Sequence, residues 1–598
     1  MSELLFSDRA DFDDADRGFI AALKPGAVQD DRGRVVWNND AYDFLAGDCP
    51  ATVDPSLWRQ SQLCAKQGLY EVVPGIYQVR GLDLSNMTLV EGERGVIVID
   101  PLVSVETAAA ALALYRQHRG ERPVTAVIYT HSHVDHFGGV EGVVSGEVPV
   151  LAPAGFMAHA VSENVYAGIA MARRGTYQYG MLLPNGPDGQ VGTGLGQNVS
   201  TGRVSLIPPT TDITRTGQEE TLDGVRIQFQ LTPGTEAPAE MNFYFPEHRA
   251  LCLAENATHN MHNVLTLRGA EVRDARMWSR YLTETIARYG EHTDVAFASH
   301  HWPTWGGDRV RKFLTEQRDL YAYLHDQTLR LTNLGYTGLE IAERIELPPA
   351  LDNAWHARGY YGSVSHNVKA VYQRYMGWFD GNPASLWEHP PTESAKRYVE
   401  CIGGVDRVVE KAREYASAGD LRFAAQLLKH AVFAEPGHAA AKELLADTYQ
   451  RLGFGSENAT WRNYYLTGAH ELRSGIVPTQ VSISGGMAAA LTVEQILDSV
   501  AIRVDGPRAA DTRLVIDWHV TDVDEHVRTT LSNGALSQEP VRDDEPADLA
   551  LTLTKAQLLG LIAGQQPDGI DYRGDRATLG RLLGLVDEPD PNFPIVTP

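Results

Sequence analysis

Cysteine is scarce in this chain: four in 598 residues, at Cys49, Cys64, Cys252 and Cys401. They are too few and too scattered for a disulfide framework, and none shows the paired spacing of a cysteine metal site. They read as reduced, mostly buried thiols. No apolar run approaches the ~18 residues needed to span a bilayer, so membrane insertion is not expected. The first residues, Met1-Ser-Glu-Leu-Leu-Phe-Ser-Asp-Arg-Ala-Asp-Phe-Asp-Asp14, are acidic and lack the basic start and apolar centre of a signal peptide. A cytoplasmic protein is expected. Positive charge is also in deficit: 52 Lys and Arg against 77 Asp and Glu leave a net charge of −25. That balance argues against nucleic acid or an anionic membrane as partner. An anionic substrate would be repelled at long range, so it would need Arg, His or a metal close by.

The remainder is ordinary for soluble globular protein, with 43% apolar and 22% charged residues. At this length two to four domains are expected. The most informative stretch is Tyr129-Thr-His-Ser-His-Val-Asp-His-Phe-Gly-Gly139. Four metal-competent side chains, His131, His133, Asp135 and His136, fall within six residues. The β-branched run Val124-Thr-Ala-Val-Ile128 before them predicts a buried strand. On extended backbone the imidazoles two apart point the same way, and Gly138-Gly139 allows a sharp turn. Imidazoles and a carboxylate converging at a strand end are the donors zinc prefers, although iron and manganese also accept nitrogen and oxygen ligands. Histidine is rare here, 20 in all, so three beside an aspartate are unlikely to be unrelated surface residues.

Upstream of the motif, short strands are predicted at 69–73, 76–79, 87–90 and 95–100, then a helix at 106–118. Antiparallel strands followed by strand–helix alternation suit an α/β sandwich with its site at the strand ends. Asp100-Pro101 closes one strand; a plain turn is the favoured reading there, with a role behind the ligands as the alternative. Residues 152–215, with Tyr166, Tyr177, Tyr179, Met171 and Met181, are expected to form an ordered cover over the site.

The string Thr130-His-Ser-His-Val-Asp-His-Phe-Gly-Gly139 resembles the H-x-H-x-D-H signature of the metallo-β-lactamase superfamily of zinc hydrolases. Three further segments match places where that superfamily carries ligands. Leu231-Thr-Pro-Gly-Thr-Glu236 has Thr235 in a slot usually held by His, followed by Glu236. Strand 250–254 ends in Glu255 where a bridging Asp is usual, and strand 295–299 ends in His300-His301. These departures resemble the alkyl sulfatases of the dodecyl-sulfate-hydrolase type, as do Pro233–Met241, Thr258-His-Asn-Met-His-Asn-Val-Leu-Thr-Leu-Arg-Gly269 and Arg358-Gly-Tyr-Tyr-Gly-Ser-Val-Ser-His-Asn367. The resemblance implies two zinc ions per subunit. One would be held by His131, His133 and Glu236, the other by Asp135, His136 and His300, with Glu255 between them. His300 is preferred over His301 by its place in the motif.

The same resemblance implies that an alkyl sulfate ester is hydrolysed to alcohol and inorganic sulfate. Arg268 and Asn260 would hold the sulfate, since Arg recognises such oxyanions with two parallel hydrogen bonds. Tyr360 and Tyr361 are further candidate donors, with packing as the equally plain reading. His301 is the candidate proton donor to the ester oxygen. A same-fold zinc hydrolase of thioesters, lactams or phosphodiesters is the alternative, and a lipid carrier with a vestigial metal site is a more distant one.

The organisation expected is multidomain. A segment at 1–65 wraps a metallo-β-lactamase-like sandwich at 66–309, and an α-helical dimerisation domain follows at 310–474. An α+β domain at 475–598 closes the chain and resembles sterol-carrier proteins. Within 414–452 the turn Ala418-Gly-Asp420 and the small apolar spacing resemble one or two tetratricopeptide-like hairpins, and the resemblance implies a homodimer.

Overall fold

A computed structural model describes residues 4–478, 487–542 and 545–598. The chain divides into two compact units. One comprises Met1–His159, Ala172–Val481 and Asn592–Pro598, the other Ala160–Met171 and Ser482–Pro591.

The larger unit is built on two sheets. In the first, strands run in the order 19–21, 68–73, 76–80, 87–91, 96–99, 124–128, 150–153 and 211–213. It starts as antiparallel hairpins and becomes parallel from 96–99 onward. The change follows from local sequence. Val96-Ile-Val-Ile99 is β-branched throughout and fully buried, each side chain contributing about 1.5–3 kcal/mol on burial. Helix Val105–Arg119 then crosses over to the next strand. Ser104 caps its start by accepting from Thr107 N–H, and Gly120 ends it at φ +90°. The second sheet runs 219–222, 225–231, 241–245, 250–252, 295–297 and 304–305.

The sheets pack face to face through Ile76, Ile97, Ile99, Ile128, Phe229, Phe243, Phe245 and Phe297. Leu112 and Tyr115 of the crossover helix cover the outer face of the first sheet. Helices Ala275–Tyr289 and Gly307–Thr332 cover the second through Trp278, Leu282, Leu314 and Tyr321. The α/β sandwich expected from the strand pattern is therefore present, with all its helices outside. Phe19–Ala21, within the segment expected to wrap the sandwich, forms a short strand paired with 68–73.

After the sandwich the chain is helical. Helices Val405–Ser417, Leu421–Ala434, Ala439–Phe454 and Ala459–Ser474 bury Val408, Leu428, Ala431 and Leu445 against one another. The turn at Ala418–Asp420 works as its residues dictate. Gly419 has φ +91°, and Asp420 caps the next helix by accepting from Phe423 N–H. Several large apolar side chains of this block face outward, Trp387 at 96% and Trp378 at 77% exposure.

The smaller unit carries a five-stranded sheet in the order 535–540, 525–532, 514–520, 549–553 and 571–574. Helices 493–501, 555–562 and 577–583 share an apolar crevice with it, lined by Leu497, Val500, Trp518, Leu536, Leu561 and Leu579. The edge strands and the last helix were not visible in the sequence. Ala535-Leu-Ser-Gln-Glu-Pro540 and Asp571-Tyr-Arg-Gly574 are polar and half exposed, so nothing in their patterning outweighs a loop reading. Among the described residues, no helix is long and apolar enough to cross a membrane.

Candidate metal centre

The site forms where strand ends of the two sheets meet. Strand 124–128 delivers His131 and His133, and a single helical turn then brings round Asp135 and His136. Gly138 and Gly139 are needed for closeness: a Cβ would lie 2.2 Å from Val103 O at Gly138 and 2.1 Å from Pro101 O at Gly139. The second sheet contributes the loop bearing Glu236, then Glu255 after strand 250–252 and His300 after strand 295–297. Backbone strain marks the same strand ends. Asp100, Leu102, Ala254 and His301 all have positive φ, between 48° and 62°, a conformation that costs a non-glycine residue about 1–3 kcal/mol.

Two groups of buried donors converge here: His131, His133, Glu236 and Glu255, and Asp135, His136 and His300. His131 Nε2 lies 3.2 Å from Glu236 and 3.1 Å from Glu255, and His133 Nδ1 lies 2.8 Å from Glu236. His136 Nε2 lies 3.2 Å from Asp135 and 3.5 Å from Glu255, while His300 Nε2 lies 2.9 Å from Glu255 and 3.5 Å from Asp135. Two ligands at about 2.0–2.2 Å from one tetrahedral ion are separated by about 3.3–3.6 Å. Two of these spacings, at 3.5 Å, are of that size and the other five, at 2.8–3.2 Å, are shorter, and Glu255 touches members of both groups.

The opposite face of each ring fixes its protonation. His131 Nδ1 donates to Thr130 Oγ1 (2.9 Å), whose hydroxyl is itself spent on Asp100 (2.7 Å). His136 Nδ1 donates to Asp100 (2.9 Å), and His300 Nδ1 to Leu84 O (3.0 Å). With Nδ1 carrying the proton, each Nε2 turns a lone pair toward buried carboxylates. The Nε2 atoms of His131, His136 and His300, with Glu236 Oε2 and Glu255 Oε1, have no hydrogen-bond partner although buried. Lone pairs facing carboxylates at such distances repel unless positive charge lies among them, and the donor set suits a divalent cation of zinc type. Electrostatics point the same way. Burial alone would raise Glu255, but the imidazoles around it, His300 foremost, hold it well below the usual carboxylate range. Burial would likewise raise Asp135, yet His136 and His300 hold it low.

Behind the ligands, Asp100 accepts four hydrogen bonds, from Thr130 N, Thr130 Oγ1, His136 and Ser299 Oγ. The plain turn favoured from its sequence context is therefore not its whole role. Its carboxylate orients one histidine directly and a second through Thr130.

The anion-binding candidates separate. Tyr361 faces the centre: its hydroxyl accepts from Gln178 Nε2 (3.0 Å) and lies 3.3 Å from that of Tyr179. Burial and the neighbouring Tyr179 raise it well above its ordinary value. Arg268 lies close enough for its charge to act on Tyr179, and its backbone N–H donates to Gln178. Gln178 and Tyr179 belong to the insertion expected to cover the site. Tyr166, from the same insertion, does not: it falls in the smaller unit, where its hydroxyl donates to Asp498 (2.9 Å).

Tyr360 is a packing residue, with its ring among Tyr42, Leu57, Trp58 and Ala459 and its hydroxyl 3.0 Å from Ser56. The Asn260 side chain has one weak contact, to Thr258 (3.4 Å), and its buried amide nitrogen is unpartnered. His301 turns away from the ligands. Its Nδ1 accepts from His259 N–H (3.0 Å), and its Nε2 meets Gly194 O (3.0 Å). Burial with the charge of His300 pushes it down to about 3. With both nitrogens engaged, it has no proton to give toward the centre.

Sequence reasoning missed His262 and Arg273. His262 Nε2 lies 3.6 Å from Glu236 and 3.5 Å from Glu255 and is otherwise unpartnered. Arg273 reaches Glu236 (2.5 Å), and its Nη1 lies 3.0 Å from His262 Nδ1, which also faces Asn263 O at 3.0 Å. Thr258–Gly269 contains both His259 and His262, and nothing in their spacing separates them. His259 is stacked on Trp302 and Phe313 instead.

Comparison with known proteins agrees with this geometry. Family models match at 80–251 for the metallo-β-lactamase superfamily, 337–475 for alkyl sulfatase dimerisation and 481–598 for the alkyl sulfatase C-terminal domain. The chain is 47% identical to a linear primary-alkylsulfatase of Pseudomonas sp., covering 100% of this chain and 91% of that one. It is 45% identical to an alkyl/aryl-sulfatase of Saccharomyces cerevisiae, covering 100% and 94%. The solved structure of the stereoselective inverting sec-alkylsulfatase Pisa1 from Pseudomonas sp. superimposes with a TM-score of 0.97 at 46% identity, over 100% of this chain and 96% of that one. Relatedness along the whole chain, together with the converging donors at the strand ends, means that this protein belongs to the alkyl sulfatases of the metallo-β-lactamase superfamily.

Proposed function

We propose that the chain is a binuclear zinc hydrolase that cleaves alkyl sulfate esters to an alcohol and inorganic sulfate. The observation that carries this is the convergence of unpartnered imidazole nitrogens and carboxylate oxygens on one buried point. His131, His133 and Glu236 would hold one ion and Asp135, His136 and His300 the other, with Glu255 shared. Zinc held there supplies Lewis acidity and a water acidified toward neutral pH.

The protein's own groups then handle the anion. Arg268 neutralises sulfate charge, which the net negative chain would otherwise repel. Tyr361 and Tyr179 add phenolic donors, and the spare amide of Asn260 is a further one. His262, whose Nε2 faces the centre, takes the place first given to His301 and, with its proton on that nitrogen, donates a hydrogen bond to the sulfate. One relative described as inverting supports attack of water on carbon. On that route sulfate departs as an anion, and charge stabilisation by Arg268 matters more than protonation. A homodimer is supported by the outward-facing Trp378 and Trp387, which lie within the segment matched by the dimerisation model. The apolar crevice of the C-terminal domain fits the sterol-carrier-like reading and an alkyl chain as its occupant.

The test is sulfate release from linear and secondary alkyl sulfates by zinc-loaded protein in ¹⁸O water. Turnover with label in the alcohol is expected. Label in sulfate would move the attack to sulfur, and no turnover on any substrate would overturn the sulfatase reading in favour of thioesters or phosphodiesters. Light scattering of the Trp378→Ser, Trp387→Ser double variant checks the dimer: an unchanged mass would remove this face from the interface.

A further inference from the structure

Glu240 is a fully buried carboxylate that touches no ligand side chain directly, yet three members of the first donor group lead back to it. One oxygen, Oε2, accepts from Thr235 Oγ1 (2.6 Å), from Glu236 N–H (2.9 Å) and from Ala237 N–H (3.2 Å). The other, Oε1, accepts from Glu255 N–H at 3.2 Å. Its main chain forms an isolated antiparallel bridge with His131. Its carbonyl accepts from Thr232 N–H (2.9 Å), which closes the loop that carries Glu236. Glu236, Glu255 and His131 arrive from three different segments; Glu240 is hydrogen-bonded to the first two and faces the third across the bridge, which the adjacent Met241 N–H closes on Thr130 O (3.1 Å).

We infer that Glu240 is a positioning residue that sets the spacing of Glu236, Glu255 and His131 for the metal they share; this rests on the metal-centre reading above. The residue type follows from the hydrogen-bond pattern. Four donors point at Glu240, and only an acceptor on both oxygens satisfies them. An amide would turn its N–H₂ toward one side's donors and leave that side repelled. An aspartate is one methylene shorter and cannot reach both Glu255 and the 235–237 turn. Burying a third carboxyl group beside Glu236 and Glu255 is unfavourable, so its presence there argues for a structural task at the centre.

The test uses the full chain, stripped of metal and titrated with Co²⁺, and compares wild type with Glu240→Gln and Thr235→Val. Circular dichroism and thermal melting of the stripped proteins report the fold. Chelator competition reports affinity, and the visible Co²⁺ bands report ligand geometry. We expect Glu240→Gln to melt as wild type does but to bind Co²⁺ about 10–100-fold more weakly, as loss of a group orienting ligands does, with altered bands. Thr235→Val, which removes one of the four donors, should shift affinity in the same direction by less.

A folded Glu240→Gln with native affinity and native bands would overturn the inference. If that variant does not fold, Thr235→Val decides alone: weakened binding supports the role, and native binding removes it. A wild-type chain that binds no Co²⁺ would overturn the metal-centre reading and this inference with it. Equal binding by wild type and variant overturns only the role of Glu240.

Discussion

The buried centre and the hairpin at 514–532 both gather histidine and carboxylate, yet only one of them is built as a site. On the hairpin, His519 and His526 face each other across two antiparallel strands, their rings stacked at 3.9 Å, with Asp524 nearby. Their donor atoms are as close together as those of the centre, but Asp524 is 93% exposed and lies 3.9 Å from His526. Among the described residues, no side-chain hydrogen bond orients either ring. At the centre, Asp100, Thr130, Leu84 O and Glu240 fix tautomers and spacing before any ion arrives. Donor type and proximity are therefore not enough. Orientation from behind, by partners held in the protein interior, separates a functional set from a coincidental one.

The comparison is broken most directly by deleting one donor from each cluster. His133→Ala should lower sulfate release by roughly a thousandfold or more, about 4 kcal/mol of barrier, with loss of bound metal by elemental analysis. His526→Ala should leave turnover within about twofold, as surface changes away from such features do. Equal losses in the two would mean that the hairpin takes part in function.

Next in size is the anion anchor. Arg268→Ala should cost about 10²–10³-fold in kcat/KM, the scale of one lost oxyanion donor, and Arg268→Lys should recover part of it. Native turnover by Arg268→Ala would favour a substrate without sulfate on the same metal centre.

Asp100→Asn tests orientation itself. The ligands stay, but the acceptor holding His136 and Thr130 becomes an amide, and metal affinity should fall about 10–100-fold in chelator competition. The buried centre would then behave more like the hairpin. Unchanged affinity would show that the strand ends hold the rings without it.

The smallest effect separates the adjacent tyrosines. Tyr360→Phe should leave kcat/KM near native and cost about 1 kcal/mol of stability through its lost bond to Ser56. Tyr361→Phe should lower turnover with little change in melting temperature. The reverse pattern would exchange their roles.

Much of the site was legible because its donors are rare residue types at strand ends. His131, His133, Asp135 and His136 share one local segment, and their geometry follows from the strand that delivers them. Glu236, Glu255 and His300 were reached through family resemblance rather than spacing, since each follows a different strand. His301 was misread because its role turns on one backbone angle: at φ +62° its ring swings to Gly194 O. His262 was missed because Thr258–Gly269 has no periodicity to say which ring faces inward. Glu240 lay in a recognised string without any mark of its task, which consists wholly of bonds to residues distant in sequence or behind the ligands.

The sequence by itself determined the hydrophobic architecture and the chemical inventory. Runs such as Val96–Ile99 can only be buried strands, and the crossover helix starts at Ser104 and stops at Gly120 because those residues cap it. The tertiary structure decided which polar groups face one another. It joined Thr130, Asp100 and His136 across two strands, set Glu240 between three segments, and sent Tyr361 toward Gln178 and Tyr179 and Tyr360 into the packing around Tyr42 and Trp58. Apolar burial is non-directional and is written in local composition. Hydrogen bonds and charge pairs depend on ångström-scale placement of groups far apart in the chain, which is fixed only once the two sheets have packed.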